Sequence, residues 1–338
     1  MPIGNRLLIG TDRVKGHGVG ADNQLGAEIA QADSEEVLDA VAGMPSHEIA
    51  ASLLVAGLGG GTGSGVAPYL AKAMGQRYEE PVDGLGLLPG TDEGGIYTLN
   101  AARSFKTFVR EVDNLVVYDN DTMRGGGDSL ASGFETANRE LARRFGVLFA
   151  AGETDGRVVP EQVVDASEII NTFACGGLST FGYASSPVER KRGLFGGKGK
   201  ADPSEATPRI LSTVRQAALG RLSLPCEITS AERALVVVAG PPELLSRQGA
   251  EKARNWLEDA TGTMEVRGGD FPVPDADEVA AAVVLSGVTD VPRVKELQAI
   301  AVETQRNMQE ISDSADDRLS DLLWSGDGEL DPLFYSNN

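Results

Sequence analysis

The stretch that decides the fold lies at positions 57–65 and reads Gly57-Leu58-Gly59-Gly60-Gly61-Thr62-Gly63-Ser64-Gly65. A short apolar run precedes this glycine-rich turn, and a helical pattern of apolar residues follows it. Glycine has no Cβ, so such a turn lets the backbone approach a diphosphate closely. The N–H groups and the dipole of the following helix then favour negative charge. Thr62 and Ser64 could donate hydroxyl hydrogen bonds to the same anion.

Other interpretations of the glycine-rich turn are weaker. A tight connection between a strand and a helix needs only one or two glycines, whereas glycine fills most of this turn. The pattern GxxxxGK[ST] is absent, so the turn is not a Walker A loop. A second glycine-rich loop, at 16–23, follows a predicted strand. Gly16, Gly18 and Ala21 match a dinucleotide-binding spacing, and a flexible surface turn explains them equally well.

Apolar runs alternate with helical patterns through the first half of the chain, which is typical of β-α-β units on a parallel sheet. We therefore predict an α/β fold in which ligands lie beyond the carboxyl ends of the strands. The predicted strands of this half are 6–10, 52–56, 82–88 and 115–118, and the predicted helices are 26–42, 66–74 and 99–112.

A long helix is predicted over 129–149, because apolar residues recur there three or four positions apart. Its apolar stripe consists of Phe134, Leu141, Phe145 and Leu148. A smaller α/β domain is predicted after it. Its strands are 178–183, 235–239, 264–267 and 281–285, and its helices are 209–219, 243–259 and 292–311. Segment 185–208 holds little that could pack, so we predict disorder there, and the acidic end at 319–338 predicts a flexible tail.

Composition excludes several classes of protein. At roughly 150 residues per domain, the 338 residues suggest two soluble domains, and no apolar run reaches the roughly 18 residues of a spanning helix. The net charge of −20 argues against nucleic-acid binding, which needs clustered Lys and Arg. It is typical of salt-adapted proteins, so we expect a halophilic source. Cys175 and Cys226 form no metal or redox motif, which predicts a reduced, cytoplasmic protein.

Three polar side chains could carry chemistry. Asn138 falls on the apolar stripe of the long helix, where a buried amide needs partners; a core hydrogen bond or the edge of a purine would satisfy it. Asp165 and Glu168 lie three positions apart at the start of a predicted helix, so they share one face. The pattern alone favours acids that complement the helix dipole. The alternative is a pair that polarises a water molecule for attack on a phosphate.

Several motifs resemble those of the tubulin/FtsZ superfamily, in particular the CetZ group of archaeal tubulin-like proteins. The resemblance runs over essentially the whole chain. It rests on residues 59–65, Val14-Lys15-Gly16-His17-Gly18-Val19-Gly20-Ala21-Asp22-Asn23, Glu93-Gly94-Gly95-Ile96-Tyr97-Thr98-Leu99-Asn100-Ala101-Ala102-Arg103-Ser104, Ser167-Glu168-Ile169-Ile170-Asn171-Thr172 and Pro332-Leu333-Phe334. It implies a Rossmann-like GTP-binding domain at 1–125, a core helix with its following loop and helix at 126–174, an activation domain at 175–318 and an acidic tail at 319–338.

The resemblance also implies roles for individual residues. The GTP or GDP phosphates would lie in the turn formed by Gly59, Gly60, Gly61, Thr62, Gly63 and Ser64. The loop that faces the γ-phosphate would consist of Gly18, Val19, Gly20, Ala21 and Asp22. Glu93 and Asn120 are expected near the ribose and Asn138 at the guanine. Mg²⁺ would be held by phosphate oxygens and water, with no metal ligands from the protein.

Catalysis would depend on a second copy of the chain. The resemblance implies that Asp165 and Glu168 reach the nucleotide of the next subunit and help to position the hydrolytic water. Such head-to-tail contacts repeat without closing and produce filaments. The expected function is therefore that of a tubulin-like cytoskeletal GTPase involved in cell-shape control. Its tail could bind other tubulin-like proteins or an adaptor.

The start of the chain departs from this family. Family members begin with a strand, a glycine-rich phosphate loop, a helix and another strand, none of which has a counterpart here. Their loss would expose an unpaired sheet edge and remove N–H donors to the phosphates. We interpret the start as mis-set; a shortened chain or a degenerate member are the alternatives. Two other functions therefore remain open: a non-catalytic regulator that caps relatives' filaments, and a nucleotide-dependent dehydrogenase.

Overall fold

The structure is a computed structural model that describes residues 6–43, 49–123, 130–151, 160, 162–188 and 202–323. The helices are α1 (Thr11–Val14), α2 (Asn23–Ala32), α3 (Ser34–Ala42), α4 (Gly61–Arg77), α5 (Gly95–Glu111), α6 (Asn120–Met123), α7 (Leu130–Ala150), α8 (Ala166–Phe173), α9 (Ala206–Leu219), α10 (Arg247–Thr261) and α11 (Pro292–Leu323). The strands are β1 (Ser52–Gly57), β2 (Val82–Leu88), β3 (Leu115–Asp119), β4 (Leu178–Pro187), β5 (Arg233–Gly240), β6 (Val266–Pro272) and β7 (Glu278–Ser286).

All these strands belong to one sheet of order β1-β2-β3-β4-β7-β5-β6. The first four strands run parallel, and β7 lies antiparallel between β4 and β5. The α/β class predicted from the sequence is therefore confirmed. Strands β3 and β4 share two paired positions, Leu115 with Leu178 and Val116 with Ser179. This short pairing joins the strands of the predicted first domain to those of the second.

Helices cover both faces of the sheet. Helices α4, α5, α9 and α10 pack on one face, and α7 and α8 pack on the other. Central strands that are buried on both faces consist of continuous apolar residues, as in Ala234–Gly240 of β5. Helix α7 has 21 residues, which at about 1.5 Å per residue gives a length of about 30 Å. It therefore extends along the whole height of the sheet.

The predicted strand at 6–10 is wrong, because these residues have no regular structure and lead directly into α1. No described strand lies beyond β1, so the segment has no partner for a ladder. The predicted helix at 26–42 consists of two helices. The chain turns between them at Asp33, whose carboxylate Oδ2 accepts a hydrogen bond from the N–H of Gly10 at 2.6 Å.

The predicted disorder at 185–208 is wrong at both ends. Residues 185–187 belong to β4, and residues 203–208 form a 3₁₀ turn and the first turn of α9; residues 189–201 lie outside the described part. The predicted tail begins inside α11, which ends at Leu323, and residues 324–338 also lie outside the described part. No described helix is both long and apolar enough to span a bilayer.

Strand β1 lies at the edge of the sheet and pairs with β2 alone among the described strands. The side chain of Val55, in the middle of β1, is 58% exposed. The described part of the chain thus leaves β1 without a second partner strand and leaves one of its apolar side chains uncovered.

Candidate nucleotide site

The two glycine-rich loops of the sequence lie side by side. The N–H of Gly61 donates to the carbonyl oxygen of Gly20 at 3.1 Å. The N–H of Val19 lies 3.5 Å from the hydroxyl oxygen of Thr62, at the limit of a hydrogen bond. The two loops therefore form one continuous surface beyond the carboxyl end of β1.

Asn100 of α5 holds the two loops together, and the sequence analysis did not single it out. Its side-chain Nδ2 donates to the carbonyl oxygen of Ala21 at 2.7 Å and to that of Gly59 at 3.2 Å. The side chain is buried, as are those of its sequence neighbours Leu99 and Ala101. An amide between two apolar residues of a predicted helix is the signal that could have identified it.

Glycine is required in this turn by the backbone that surrounds it. A Cβ on Gly61 would lie 2.6 Å from the carbonyl oxygen of Gly20, and a Cβ on Gly63 would lie 2.4 Å from that of Gly57. Both distances are too short for a carbon atom beside a backbone oxygen. The glycines therefore allow the first turn of α4 to pack directly on β1 and on the neighbouring loop.

Substitution of Gly63 by alanine is expected to destabilise the protein by about 1–3 kcal/mol, because the backbone at Gly57 must move. The matched control is Gly75→Ala in the same helix, where an added Cβ meets nothing within 4 Å. That variant should gain about 0.5–1 kcal/mol from helix propensity. Denaturant unfolding of both ligand-free variants measures the difference, and equal stabilities would contradict this packing.

The first turn of α4 has the features of an anion site. Gly60 is its N-cap residue and makes no side-chain cap. The N–H of Gly61 is bonded to Gly20, so the N–H groups of Thr62 and Gly63 are those available to an anion. Thr62 is exposed beside them. Ser64, by contrast, is buried and donates its hydroxyl to the carbonyl oxygen of Gly60. The Ser64 hydroxyl thus bonds within its own helix, and a hydrogen bond from it to a ligand stays a prediction.

The loops after β2 and β3 lie beside the glycine-rich loops at the carboxyl ends of the strands. Asp121 accepts two hydrogen bonds from the N–H of Thr91, at 2.9 and 3.1 Å, and so joins these loops. Glu93 accepts from the N–H of Gly90 at 2.7 Å and closes its own turn. Gly59 connects the first loop to this group, since a Cβ there would lie 3.0 Å from Pro89. The residues expected near a ribose thus lie at the carboxyl ends of the strands, as the glycine-rich turn does.

One buried arginine connects these loops to the last helix. Arg293, in the first turn of α11, donates to Asp119 Oδ2 at 3.0 Å, to Asp121 Oδ2 at 3.2 Å and to the carbonyl oxygen of Pro89 at 3.3 Å. Burial raises the pKa of Asp119, although Arg293 beside it favours the ionised carboxylate. The ends of β2 and β3 are therefore tied to a helix of the second half of the chain.

Asn138 lies near the carboxyl end of β3, and its side chain is more exposed than the sequence pattern predicts. The hydroxyl of Tyr118 on β3 donates to the carbonyl oxygen of Ala137 at 2.7 Å and fixes this turn of α7. Burial raises the pKa of Tyr118 to about 12, so the phenol remains a donor at neutral pH. Asn138 itself is exposed rather than buried on the apolar stripe. An amide open to solvent is free to contact a ligand. Asn120 begins α6 directly after β3 and is half-buried.

Asp165 and Glu168 lie at the opposite end of the subunit. Asp165 is the N-cap of α8 and accepts hydrogen bonds from the N–H groups of Ser167 at 2.9 Å and of Glu168 at 3.2 Å. The Ser167 hydroxyl and these N–H groups hold the pKa of Asp165 below its usual value. Asp165 thus caps the helix as the dipole interpretation predicted, while its side chain remains exposed.

The position of α8 follows from Asn114, just before β3. Its side-chain Nδ2 donates to the carbonyl oxygens of Phe173 at 3.2 Å and Gly176 at 2.9 Å. The end of α8 therefore lies at the amino end of β3, whereas the glycine-rich loops lie at the carboxyl ends of the strands. The acids and the loops of one subunit therefore lie at opposite ends of its strands.

The loop at 16–23 does not have the context of a dinucleotide-binding turn. That motif needs a strand before its first glycine and a helix after it. Here Gly16 follows α1, and Gly16 and Gly20 adopt positive φ angles of 79° and 66°. Asp22 then caps α2 through a hydrogen bond from the N–H of Leu25 at 3.0 Å. The spacing that suggested a dehydrogenase is therefore a coincidence of sequence.

Comparisons with known proteins agree with this geometry. Residues 1–127 match the Tubulin/FtsZ family GTPase domain, and residues 127–303 match the C-terminal domain of tubulin-like CetZ. Tubulin-like protein CetZ3 of Haloferax volcanii is 62% identical over 98% of this chain and 87% of its own length.

Two solved structures from the same organism have similar folds. The GDP-bound monomer of CetZ1 superimposes with a TM-score of 0.80 at 58% identity, over 90% of this chain and 85% of its own. The GTPγS-bound protofilament of CetZ2 gives a TM-score of 0.79 at 44% identity, over 90% of this chain and 84% of its own.

Proposed function

The chain belongs to the CetZ group of the tubulin/FtsZ family, and from this premise we propose that it is a GTP-binding cytoskeletal protein. It assembles head to tail and hydrolyses GTP to GDP and phosphate where two subunits meet. The observation that carries the proposal is the separation of the glycine-rich loops from the acids, which places them at opposite ends of one subunit. Family membership supports a role in cell-shape control in the cytoplasm.

The glycine-rich turn supports nucleotide binding. The N-terminus of α4 has no side-chain cap, the exposed Thr62 lies beside it, and the loop at 18–22 is in contact with it. A helix dipole with N–H groups left over in the first turn favours a bound phosphate, which supports this proposal. Asn138, Glu93 and Asn120 lie at the same end of the sheet as this turn and would contact guanine and ribose.

The two ends of the subunit support hydrolysis in trans. Asp165 and Glu168 cannot reach the loops of their own subunit, because the two groups lie at opposite ends of the strands. A neighbour stacked end to end would bring them to those loops, and the solved GTPγS-bound protofilament of the relative CetZ2 supports such self-association. The carboxylates would orient a water molecule toward the γ-phosphate. Mg²⁺ would bind through phosphate oxygens, where it neutralises charge.

The uncovered edge of β1 favours a second candidate function. Val55 is exposed on this edge, next to the turn that would hold the phosphates. A subunit with an incomplete nucleotide pocket could join filaments of complete relatives and cap them without hydrolysis. A stable, folded protein that retains no GTP in high potassium would support this candidate over the first.

Substitution of Glu168 by alanine is expected to lower GTP hydrolysis about a hundredfold while GTP affinity is unchanged, because the carboxylate acts on the neighbour's nucleotide. Phosphate release by the unaltered protein should rise more than linearly with protein concentration, since the active site forms between subunits. Equilibrium GTP binding at low protein concentration and phosphate release over a range of concentrations measure the two effects.

The control is Glu303→Ala, which removes an exposed glutamate of α11. It should change neither binding nor hydrolysis. Strictly proportional phosphate release would contradict a site shared between subunits. Equal loss of binding and hydrolysis in Glu168→Ala would mean that Glu168 serves its own subunit's pocket.

A further inference from the structure

The carboxylate of Glu168 is paired with an arginine from a distant strand. Nη1 of Arg267, on β6, donates to Oε2 of Glu168 at 2.9 Å. The side chains are 33% and 36% exposed, respectively, so the pair lies at the surface but is partly shielded from water. Oε1 of Glu168 has no hydrogen-bond partner among the described residues. One carboxylate oxygen is therefore fixed and the other is open.

Strand β6 also holds the segment that leads to Asp165. The N–H of Gln162 donates to Oδ1 of Asp270 at 2.6 Å, and the carbonyl oxygen of Gln162 accepts from the N–H of Asp270 at 3.0 Å. A Cβ on Gly269 would lie 2.4 Å from that carbonyl oxygen and 2.5 Å from Cγ2 of Val164. The backbone before Asp165 thus lies directly against β6.

The two acids are consequently fixed in different ways. Asp165 is held by its cap hydrogen bonds to α8. Glu168 sits in the first turn of α8, where its flexible side chain could adopt several rotamers. The ion pair to Arg267 selects one of them. A planar guanidinium restricts direction as well as distance, which a lysine ammonium does not.

We propose that Arg267 is a positioning residue, which holds the carboxylate of Glu168 so that its free oxygen faces the nucleotide of the adjoining subunit. This inference rests on the proposed function, because it assigns a role within the same shared site. Arg267 does not touch the nucleotide of its own subunit, since β6 lies at the far end of the sheet order from β1. Its effect should appear only in the assembled protein.

The test compares Arg267→Met, Arg267→Lys, Glu168→Ala and the double variant Glu168→Ala/Arg267→Met. Phosphate release is measured per assembled subunit, with the assembled fraction determined by sedimentation, and GTP affinity is measured on unassembled protein. Arg267→Met should lower the rate about tenfold at unchanged affinity, because the carboxylate loses its orientation. Arg267→Lys should restore part of the rate. In the Glu168→Ala background, Arg267→Met should have no further effect.

Arg306→Met is the control, because Arg306 forms an exposed pair with Glu310 on α11. If Arg267→Met does not assemble, it is measured in copolymers with the unaltered protein. A normal rate per assembled subunit in Arg267→Met, with Glu168→Ala inactive, would overturn the inference and leave the proposed function intact. The inference would also be overturned if Arg267→Met lowered the rate by the same factor in the unaltered protein and in the Glu168→Ala background. Full activity of Glu168→Ala would refute the proposed role of Glu168 itself.

Discussion

Replacing Arg293 by alanine is expected to lower the free energy of unfolding by about 3–5 kcal/mol, because it leaves a buried carboxylate without its partner. The arginine side chain is 8% exposed and that of Asp119 is 3% exposed. The same substitution removes the donors to Asp121 and to the carbonyl oxygen of Pro89. Burial already raises the pKa of Asp119, so the loss of the guanidinium should drive this carboxyl toward its protonated form.

Denaturant unfolding at constant potassium concentration measures this loss. The matched control is Arg306→Ala, which breaks an ion pair with Glu310. The two side chains of that pair are 71% and 69% exposed. Exposed pairs of this kind contribute about 0.3–0.5 kcal/mol. If Arg293→Ala lowers the free energy of unfolding by no more than such an exposed pair contributes, the buried contacts do not hold α11 to the loops after β2 and β3.

Local sequence patterns predicted much of the fold. Strand β2 was predicted with its exact bounds in the structure, and β1 and β3 to within one residue, because short, mainly apolar runs bounded by turns are typical of buried parallel strands. The prediction failed at 6–10, where the residues favour a strand but no described neighbour is present to pair with them. A ladder depends on a partner that local sequence does not encode. The helix at 26–42 failed similarly, because Asp33 bonds to the distant Gly10.

The candidate site was predictable where chemistry follows from a contiguous motif. The glycines of the turn at 57–65 are enough to predict the phosphate site that we propose there. Asn100, Arg267 and Arg293 were not singled out, since each acts through partners far away in the chain. No spacing rule connects residues that only the tertiary fold brings together. Position in the motif also does not reveal local bonding: the hydroxyl of Ser64, a candidate ligand donor, bonds to the start of its own helix.

Asp83 is expected to make the stability of this protein fall as pH rises from about 4 to 7. It lies inside β2, 5% exposed, and its Oδ1 has no hydrogen-bond partner in the described part of the chain. Burial, with a contribution from the nearby Asp113, raises the pKa of Asp83 from 3.8 to about 7. The folded state therefore retains a proton that the unfolded chain releases, so increasing pH favours unfolding.

The size of this effect follows from about 1.4 kcal/mol for each pH unit between the two pKa values. It reaches on the order of 4 kcal/mol by pH 7 and stays constant above it.

Asp83→Asn keeps the shape of the side chain without the charge. Its stability advantage over the unaltered protein should therefore be about 2–3 kcal/mol larger at pH 8 than at pH 5. Denaturant unfolding at both pH values measures this difference. Asp259→Asn, at an exposed position of α10, controls for the loss of one negative charge. An advantage of Asp83→Asn that is the same at both pH values would mean that Asp83 is ionised in the folded protein throughout this range.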